Sequence, residues 1–270
     1  MQSKPFPLVD FHTHAFPDAI AARTMTKLSA IANAVPYTDG TLSGLRAKQE
    51  EDGVTLTVIH QIATKPSQQI TVNNWAAANQ KDRIVFFGSV YPGAEDALPE
   101  LSRIKEIGLK GIKFHPDYQE FFVEDERFFP IYQEIEQLSL PMIFHAGRDP
   151  FSPDLVHATP KGISKVAKAF PNLTIIAAHL GGMERCDEVE EYLVGLPNVY
   201  FDLSMAHTFA DPIQAERIVK THGTKKILFA SDLPWGTAKQ TLAFMDQLHL
   251  SEDERKQICY QNAYRILGID

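Results

Sequence analysis

The chain has 270 residues, of which 44% are hydrophobic and 22% are charged, and its formal net charge is −8. This composition is ordinary for a globular protein, and the surplus of negative charge argues against nucleic acid or an anionic membrane as the main partner. The only two cysteines, Cys186 and Cys259, are not in a C-x-x-C motif, which excludes a thiolate metal cluster and a disulfide framework. No apolar run reaches the length of about eighteen residues that a membrane span needs. We therefore expect a cytoplasmic enzyme that acts on a small molecule.

Short apolar strands alternate with helices along the whole chain. Strands are predicted at residues 8–16, 54–60, 84–90, 111–115, 141–145, 173–179, 198–204 and 226–232. Helices are predicted at residues 18–34, 41–51, 67–80, 97–107, 128–138, 159–170, 185–194, 213–221, 237–249 and 253–267. From the second strand onward a new strand begins about every 25 to 32 residues, which is the length of one strand-plus-helix unit.

This rhythm predicts the α/β fold class and, within it, a (β/α)8 TIM barrel that forms a single domain over residues 1–270. The competing fold is an open, doubly wound parallel sheet. Such a sheet would favour a glycine-rich phosphate loop after the first strand, where this chain has His12-Thr13-His14 instead.

The end of the first strand carries two histidines at a spacing of two residues. Alternate side chains of a strand point to the same face, so we expect His12 and His14 to share a face with Asp10. Two imidazoles held on a rigid strand can both reach one metal ion, and histidine nitrogen is a favoured zinc ligand. An H-x-H pair alone is a weak signal, since two buried, hydrogen-bonded histidines would look the same.

Further polar side chains stand at the carboxyl ends of other apolar strands, which converge on one mouth in a barrel. They are Lys113, His115, His145, His179 and Asp232. Unrelated buried histidines would not be expected to gather at one end of several strands, so this context favours a metal site. In contrast, His157, His222 and His249 lie outside strand ends and are interpreted as surface or structural residues.

Four motifs in this order resemble the signatures of the amidohydrolase superfamily, in its amidohydrolase-2 type, which includes enzymes similar to aminocarboxymuconate-semialdehyde decarboxylase. The motifs are Asp10-Phe11-His12-Thr13-His14, Phe144-His145-Ala146-Gly147, Ala178-His179-Leu180-Gly181-Gly182 and Ser231-Asp232-Leu233-Pro234-Trp235. The resemblance extends from Val9 to the closing residues 262–267. It specifies the superfamily and leaves the substrate open.

The resemblance implies a divalent metal, zinc by preference, held by His12, His14, His145 and Asp232. Asp232 would also act as general base, and His179 would be a proton shuttle or a ligand of a second metal. A bound metal lowers the pKa of its water from about 15.7 toward about 7, so hydroxide becomes available at neutral pH. We expect one metal per chain, with two as the alternative, and interpret Asp10 as a supporting or packing carboxylate.

Four residues are predicted to contact substrate on weaker grounds. Lys113 is expected to bind an anionic substrate group, to form a salt bridge, or to bridge two metals in carboxylated form; His115 is either a substrate contact or a supporting residue. Arg148 follows His145 on a loop and is either a carboxylate clamp or a solvated arginine. Trp235 is either a wall of the pocket or a core residue, while His60 and His207 are predicted near the mouth.

The leading hypothesis is a hydrolase that attacks an ester, lactone or amide carbon with metal-bound hydroxide. The alternative is a decarboxylase on the same ligands, acting on a small carboxylic acid. One branch of the superfamily hydrolyses lactones without a metal, so the resemblance does not by itself establish one. The barrel loops are short, which leaves room for a homo-oligomer that completes the pocket.

Overall fold

The computed structural model describes residues 6–269 and contains a barrel of parallel strands surrounded by helices. The strands are β1 (Val9–Thr13), β2 (Leu56–His60), β3 (Ile84–Phe87), β4 (Ile112–Phe114), β5 (Met142–Phe144), β6 (Ile175–Ala177), β7 (Val199–Asp202) and β8 (Ile227–Leu228). Each lies within its predicted range but is shorter. In every strand except β2, the last residues of the predicted range lie outside the ladder and form the mouth.

The helices alternate with the strands as predicted. They are α1 (Asp18–Ala32), α2 (Leu42–Glu51), α3 (Gln69–Asn79), α4 (Ala97–Glu106), α5 (Pro116–Gln119), α6 (Phe129–Gln137), α7 (Pro160–Ala169), α8 (Cys186–Tyr192), α9 (Ala206–Phe209), α10 (Pro212–His222), α11 (Ala238–Met245), α12 (Glu252–Lys256) and α13 (Asn262–Leu267). Two short helices, α5 and α9, were not predicted; they lie in the loops after β4 and β7, where four residues are too few for a helical pattern to be visible.

The strands pair in sequence order, and two junctions close the barrel. The ladders run β1-β2-β3 and β4-β5-β6-β7-β8, all parallel. A parallel bridge between Gly88 and Ile112 joins β3 to β4, and one between Thr13 and Leu233 joins β8 to β1. This order has no reversal point, so the predicted (β/α)8 fold is confirmed and the open doubly wound sheet is excluded.

Alternating side chains divide the core into two layers. On β4 and β5, Ile112, Phe114, Met142 and Phe144 pack outward against the helices in the larger apolar cluster. Ile143 points inward, in a smaller cluster that includes residues of β1, β2, β3, β6 and β8 and is completed by Ala263 and Leu267 of α13. The C-terminal helix therefore covers one end of the barrel, and polar side chains occupy the other.

The register of β1 differs from a simple alternation. Its pairing with β2 shifts between Asp10 and Thr13. As a result Asp10 does not share a face with His12 and His14: its carboxylate accepts hydrogen bonds from Gln49 of α2 and from Ser231. Burial raises the pKa of Asp10 to about 6, and these hydrogen bonds oppose that rise. Asp10 thus joins β1 to the segment that carries Asp232, in agreement with its expected supporting role.

The predicted helix at 253–267 is interrupted. Between α12 and α13, residues 257–261 form a π-helical turn. The Ile258 carbonyl in this turn accepts a hydrogen bond of 3.0 Å from the backbone N–H of Phe229, which directly follows β8. The wider turn therefore serves to attach the closing helices to the barrel. Between residues 6 and 269, no helix combines the length and apolarity that crossing a bilayer requires.

Candidate metal centre at the barrel mouth

His12 and His14 present their Nε2 atoms to one carboxylate. Oδ1 of Asp232 lies 3.5 Å from Nε2 of His12 and 3.3 Å from Nε2 of His14. Ligands about 2.0–2.2 Å from a tetrahedral metal stand roughly 3.3–3.6 Å apart, so these separations match a common metal. The two imidazole planes cross at 68°, which allows both in-plane lone pairs to converge. These three residues fit a divalent metal.

The outer nitrogen of each imidazole is held by an acceptor. Nδ1 of His12 lies 2.8 Å from Oδ2 of Asp202, and Nδ1 of His14 lies 3.2 Å from the His60 carbonyl. An acceptor at Nδ1 keeps the proton there and leaves the lone pair on Nε2, which is the arrangement seen around metal-binding histidines. Burial, reinforced by the charge of Lys113, holds the pKa of His12 well below its ordinary value, so this ring is neutral and can ligate.

Asp232 is ionised despite its burial. Burial alone would raise its pKa, but the adjacent His14 imidazole and the charges of His179 and Lys113 bring the pKa below its ordinary value. Its backbone adopts a φ of 65°, and its N–H donates to the His12 carbonyl at 2.9 Å. A non-glycine residue in this left-handed conformation is held by its surroundings, here by the chain that carries the two histidines.

Lys113 extends from β4 into the same space. Its Nζ lies 3.1 Å from Nε2 of His12, and the residue is 1% exposed. Burial lowers the pKa of Lys113 to about 8, opposed by the negative charges of Asp232, Asp202 and Asp149. The Lys113 side chain therefore lies inside the mouth of the barrel, where its position at the carboxyl end of a strand places it.

His145 and His179 form a pair beside this group. Nδ1 of His145 lies 3.0 Å from Nε2 of His179, and the two rings are inclined at 62°. Nδ1 of His179 is held by Ser204, 2.9 Å from its Oγ and 3.3 Å from its carbonyl. The His179 ring lies 5.3 Å from that of His12 between centroids, so the pair adjoins the three-ligand group. His145 itself is grouped with His115 and Asp149, whose potential ligand atoms lie within 4.8 Å of one another.

That second group is stacked rather than convergent. The rings of His115 and His145 are 4.3 Å apart and nearly parallel, at 9°, and Tyr118 stacks on the far side of His115 at 3.8 Å. Nε2 of each imidazole lies 3.5 Å from Oδ2 of Asp149. Burial raises the pKa of Asp149, but the two imidazoles outweigh it and hold that pKa well below its ordinary value.

The other predicted mouth residues surround this group, with the His60 ring 4.9 Å from that of His12 between centroids and Arg148 at the surface. The Arg148 guanidinium is half-exposed and 3.3 Å from Glu184, so in this structure it makes a surface ion pair, as the solvated-arginine interpretation expects. Trp235 is partly buried, and its backbone N–H donates to the Asp232 carbonyl at 2.8 Å. His60 is buried with Nε2 on the Phe11 carbonyl at 2.7 Å, and His207 is half-buried on α9.

Sequence reasoning missed Asp202, Ser204, Asp149 and Tyr118. The signal for Asp202 and Ser204 was present, because both stand at the carboxyl end of β7, where the rule that singled out His145 and His179 applies equally. Asp149 and Tyr118 lie on loops after β5 and β4, and nothing in the local sequence predicts that they meet.

Comparison with known proteins places this site in context. A family model described as amidohydrolase matches residues 9–269. None of the curated proteins compared with the chain shows significant sequence similarity to it. Similar solved structures include 5-carboxyvanillate decarboxylase from Sphingomonas paucimobilis, with 15% identity, 98% of this chain and 99% of that chain covered, and a TM-score of 0.74.

Two other solved structures have comparable similarity. A probable 2-pyrone-4,6-dicarboxylic acid hydrolase from Acinetobacter baumannii, with citric acid bound, has 15% identity over 98% of this chain and 100% of that chain, with a TM-score of 0.68. A dihydroxybenzoic acid decarboxylase from Polaromonas sp. JS666, with bound manganese and the inhibitor 2-nitroresorcinol, has 16% identity over 97% of each chain, with a TM-score of 0.70. At these identities the solved structures establish the shared fold.

Proposed function

The chain belongs to the amidohydrolase family, and we propose that it is a metal-dependent hydrolase that cleaves an ester, lactone or amide of a small molecule. One observation carries the proposal: at the mouth of the barrel, Nε2 of His12 and Nε2 of His14 lie 3.5 and 3.3 Å from Oδ1 of Asp232, and the three ligand atoms are within 4.8 Å of one another. A site of this kind, with an ionised carboxylate beside the metal position and a buried lysine next to it, fits hydrolytic chemistry.

The proposed ligands are His12, His14 and Asp232, with His145, which adjoins this group beside His179, as the fourth. Zinc is the proposed metal, one per chain; a second would engage His179 and Lys113, and the manganese in the Polaromonas structure makes manganese the first alternative to test. When bound, the metal would lower the pKa of a water to about 7 and polarise the substrate carbonyl.

The roles of the chain's own residues follow from their protonation and position. Asp232 is ionised and would accept the proton of the attacking water as general base. Nδ1 of His179 is held by Ser204, so Nε2 carries the lone pair; it would take up that proton and deliver it to the leaving group, or polarise the carbonyl oxygen once protonated. The Lys113 ammonium would stabilise negative charge on the substrate, and His115 and Trp235 would contact the substrate nearer the rim. Arg148 would join them only after leaving Glu184.

The test combines metal content with turnover. We expect His12→Ala and Asp232→Asn to lower zinc content after dialysis and to reduce hydrolysis of an ester and lactone panel by at least about 100-fold. The matched control is Asp82→Asn, an exposed residue of the turn before β3, which should behave as wild type. Full activity in both site variants would overturn the mechanism.

Decarboxylation is the second candidate, and two of the three solved structures described above are named as decarboxylases. On this alternative the metal and Lys113 would hold an acidic substrate, and His179 or Asp232 would move a proton to or from carbon. Release of carbon dioxide from aromatic and enoic acids, with no acid released from esters or lactones, would replace the hydrolase proposal with this one.

A further inference from the structure

Three stacked rings lead from the proposed metal centre to the rim of the mouth. His115 lies between His145 and Tyr118, with centroid distances of 4.3 Å and 3.8 Å, and both pairs are nearly parallel, at 9° and 5°. Phe151 packs against Tyr118 at 5.1 Å with the two rings almost perpendicular, and it is 44% exposed. Tyr118 is therefore the last ring of the stack before the exposed edge of the mouth.

The ring of Tyr118 is packed against the protein, but its hydroxyl is not bonded to it. Within residues 6–269 this hydroxyl has no hydrogen-bond partner, whereas the hydroxyl of Tyr132 donates to the Val123 carbonyl at 2.9 Å. Tyr118 is partly buried, and the O–H of a buried tyrosine usually has a partner. The Tyr118 O–H is thus a donor that the described part of the chain leaves for a ligand.

The electrostatic surroundings keep this hydroxyl protonated. Burial raises the pKa of the Tyr118 phenol, and the negative charges of Asp149 and Asp232 raise it further. A neutral phenol can donate one hydrogen bond, so the group is available to an acceptor oxygen over the whole working pH range. Since the charge of Asp232 acts on it, the phenol lies in the same mouth as the proposed ligands.

The residue next to Tyr118 fixes α5 to three loops. Gln119 is 2% exposed; its Oε1 accepts the His115 N–H at 2.9 Å, and its Nε2 donates to the carbonyls of Ala63 at 2.8 Å and Val90 at 2.9 Å. The segments after β2, β3 and β4 are therefore joined at this side chain. A donor held in this way is oriented before a ligand arrives, which lowers the entropy cost of binding.

The loop that carries Phe151 is attached to α5 as well. Asp117 of α5 accepts the Ser152 hydroxyl at 2.5 Å, and Nδ1 of His157 lies 3.0 Å from the same oxygen. The polar donor and the apolar ring beside it therefore belong to one connected part of the rim.

The place of Tyr118 in the stack decides which part of a substrate it meets. The His115 ring separates it from His145, so the hydroxyl does not adjoin the position where the acyl carbon would be attacked. An acceptor oxygen that reaches the hydroxyl belongs to a part of the substrate that does not react. A contact of this kind has the same strength in the ground state and in the transition state.

We propose that Tyr118 is a substrate-contacting residue whose hydroxyl donates a hydrogen bond to a second oxygen acceptor of the substrate, away from the scissile bond. This inference rests on the proposed function and deepens it. It narrows the substrate class to esters, lactones or amides that carry a further carbonyl, hydroxyl or carboxylate oxygen.

The first experiment measures binding without turnover, by calorimetric titration of the zinc-loaded full-length protein. Pentanoate, 4-oxopentanoate and glutarate share a five-carbon chain and offer no second acceptor, a neutral one and an anionic one. We expect wild type to bind the two oxygen-bearing acids about 3- to 10-fold more tightly than pentanoate, and Tyr118→Phe to lose this preference. Equal affinities for the three acids in wild type would overturn the proposal, and so would a preference that persists in Tyr118→Phe.

Tyr264→Phe is the matched control. Tyr264 is also partly buried and lies on α13, which covers the opposite end of the barrel. The same loss of a hydroxyl at that end should leave the binding preference of wild type unchanged. Loss of the preference in this variant too would contradict a local contact at Tyr118.

The second experiment measures hydrolysis of the methyl esters of the same acids. Tyr118→Phe should raise KM for methyl 4-oxopentanoate and monomethyl glutarate by about 3- to 10-fold, with kcat within about two-fold of wild type and no change for methyl pentanoate. A fall in kcat at unchanged KM would place the hydroxyl on the reacting acyl group and overturn the assignment. If no ester or lactone is cleaved but the binding preference depends on Tyr118, the proposed hydrolysis fails while the Tyr118 contact stands.

Discussion

A single carboxylate at the end of β7 organises several groups of the candidate metal centre. Asp202 holds Nδ1 of His12 at 2.8 Å, accepts the backbone N–H of His179 at 2.9 Å and accepts the hydroxyl of Ser204 at 2.5 Å. Burial raises its pKa, and these hydrogen bonds and the nearby charges act against that rise. Asp202 contacts the His12 ring directly and the His179 ring through Ser204, so it couples the orientation of two imidazoles that are far apart in sequence.

A residue remote from the mouth determines a pH response of stability. His222 is buried against Phe201, donates from Nε2 to the Val199 carbonyl at 2.9 Å and accepts the Gly195 N–H at Nδ1. Burial lowers its pKa to about 4. In the unfolded chain, His222 has the ordinary histidine pKa of about 6.5. Between about pH 6.5 and about pH 4, His222 is therefore protonated in the unfolded chain and neutral in the folded protein. The free energy of unfolding falls as pH falls through this range.

We therefore expect His222→Gln to flatten this response. Between pH 7.5 and pH 4.5, the loss of unfolding free energy should be about 2 to 3 kcal/mol smaller in the variant than in wild type, since one pKa unit corresponds to about 1.4 kcal/mol. Urea denaturation at the two pH values measures this change in the free energy of unfolding. His249→Gln, at a side chain that is 90% exposed, is the control and should keep the wild-type response. An equal pH dependence of stability in wild type and both variants would contradict the role of His222 in this response.

At the scale of elements, the loops after β5 and β6 approach each other so closely that a glycine is required between them. Gly147 has a φ of 85°, and a Cβ built on it would lie 2.1 Å from the Met183 nitrogen. The backbone there is bridged, with Met183 N–H donating to the Ala146 carbonyl at 2.9 Å and Arg148 N–H to the Met183 carbonyl at 3.1 Å. This contact connects the segment after His145 to the segment after His179.

Gly147→Ala should accordingly destabilise the protein by about 3 kcal/mol or more and weaken zinc binding, because the added methyl group meets backbone that cannot move without displacing one of the two loops. Gly195→Ala separates this clash from conformational strain. Gly195 also has a positive φ, of 87°, but its Cβ would have no heavy atom within 4 Å. We expect only the cost of the left-handed conformation there, about 1 to 2 kcal/mol, with normal zinc affinity. Urea unfolding and zinc titration of both variants test this. Equal losses of stability and of zinc affinity in the two variants would contradict a steric clash at Gly147.

At the scale of the whole molecule, closure of the barrel brings the first and the last strand together at the site. The β1–β8 junction contains the Thr13–Leu233 bridge and three backbone hydrogen bonds, which run from Phe11 N–H to the Phe229 carbonyl, from His14 N–H to the Leu233 carbonyl and from Asp232 N–H to the His12 carbonyl. The proposed metal ligands on β1 and after β8 therefore span the seam. A metal that binds them adds a connection between the first and last strands that the unfolded chain lacks.

Zinc binding should consequently stabilise the entire fold. At a free zinc concentration 100 times the dissociation constant, the free energy of unfolding should rise by about 2.7 kcal/mol over the metal-free protein. Urea denaturation in chelator and in buffered zinc measures the gain. His14→Ala should lose most of it, and a gain of wild-type size in that variant would show that zinc stabilises the protein from another site.

The sequence by itself determined the barrel, the family resemblance and most of the polar residues at the mouth. The strand-plus-helix spacing predicted the fold, which is confirmed, and strand-end position singled out His12, His14, Lys113, His179 and Asp232. These inferences succeed because strand periodicity and parallel order are local properties whose consequence, a shared mouth, is the same for every barrel.

Only the tertiary structure decided how these residues are oriented. Asp202 meets His12 across 190 residues, and Asp149 meets His115 through the fold of two loops. Because the register of β1 shifts, Asp10 lies on a different face from the histidines. Arg148 forms a surface ion pair with Glu184. Hydrogen-bond partners set which nitrogen of an imidazole is free, and those partners come from distant parts of the chain, so local sequence patterns carry no record of them.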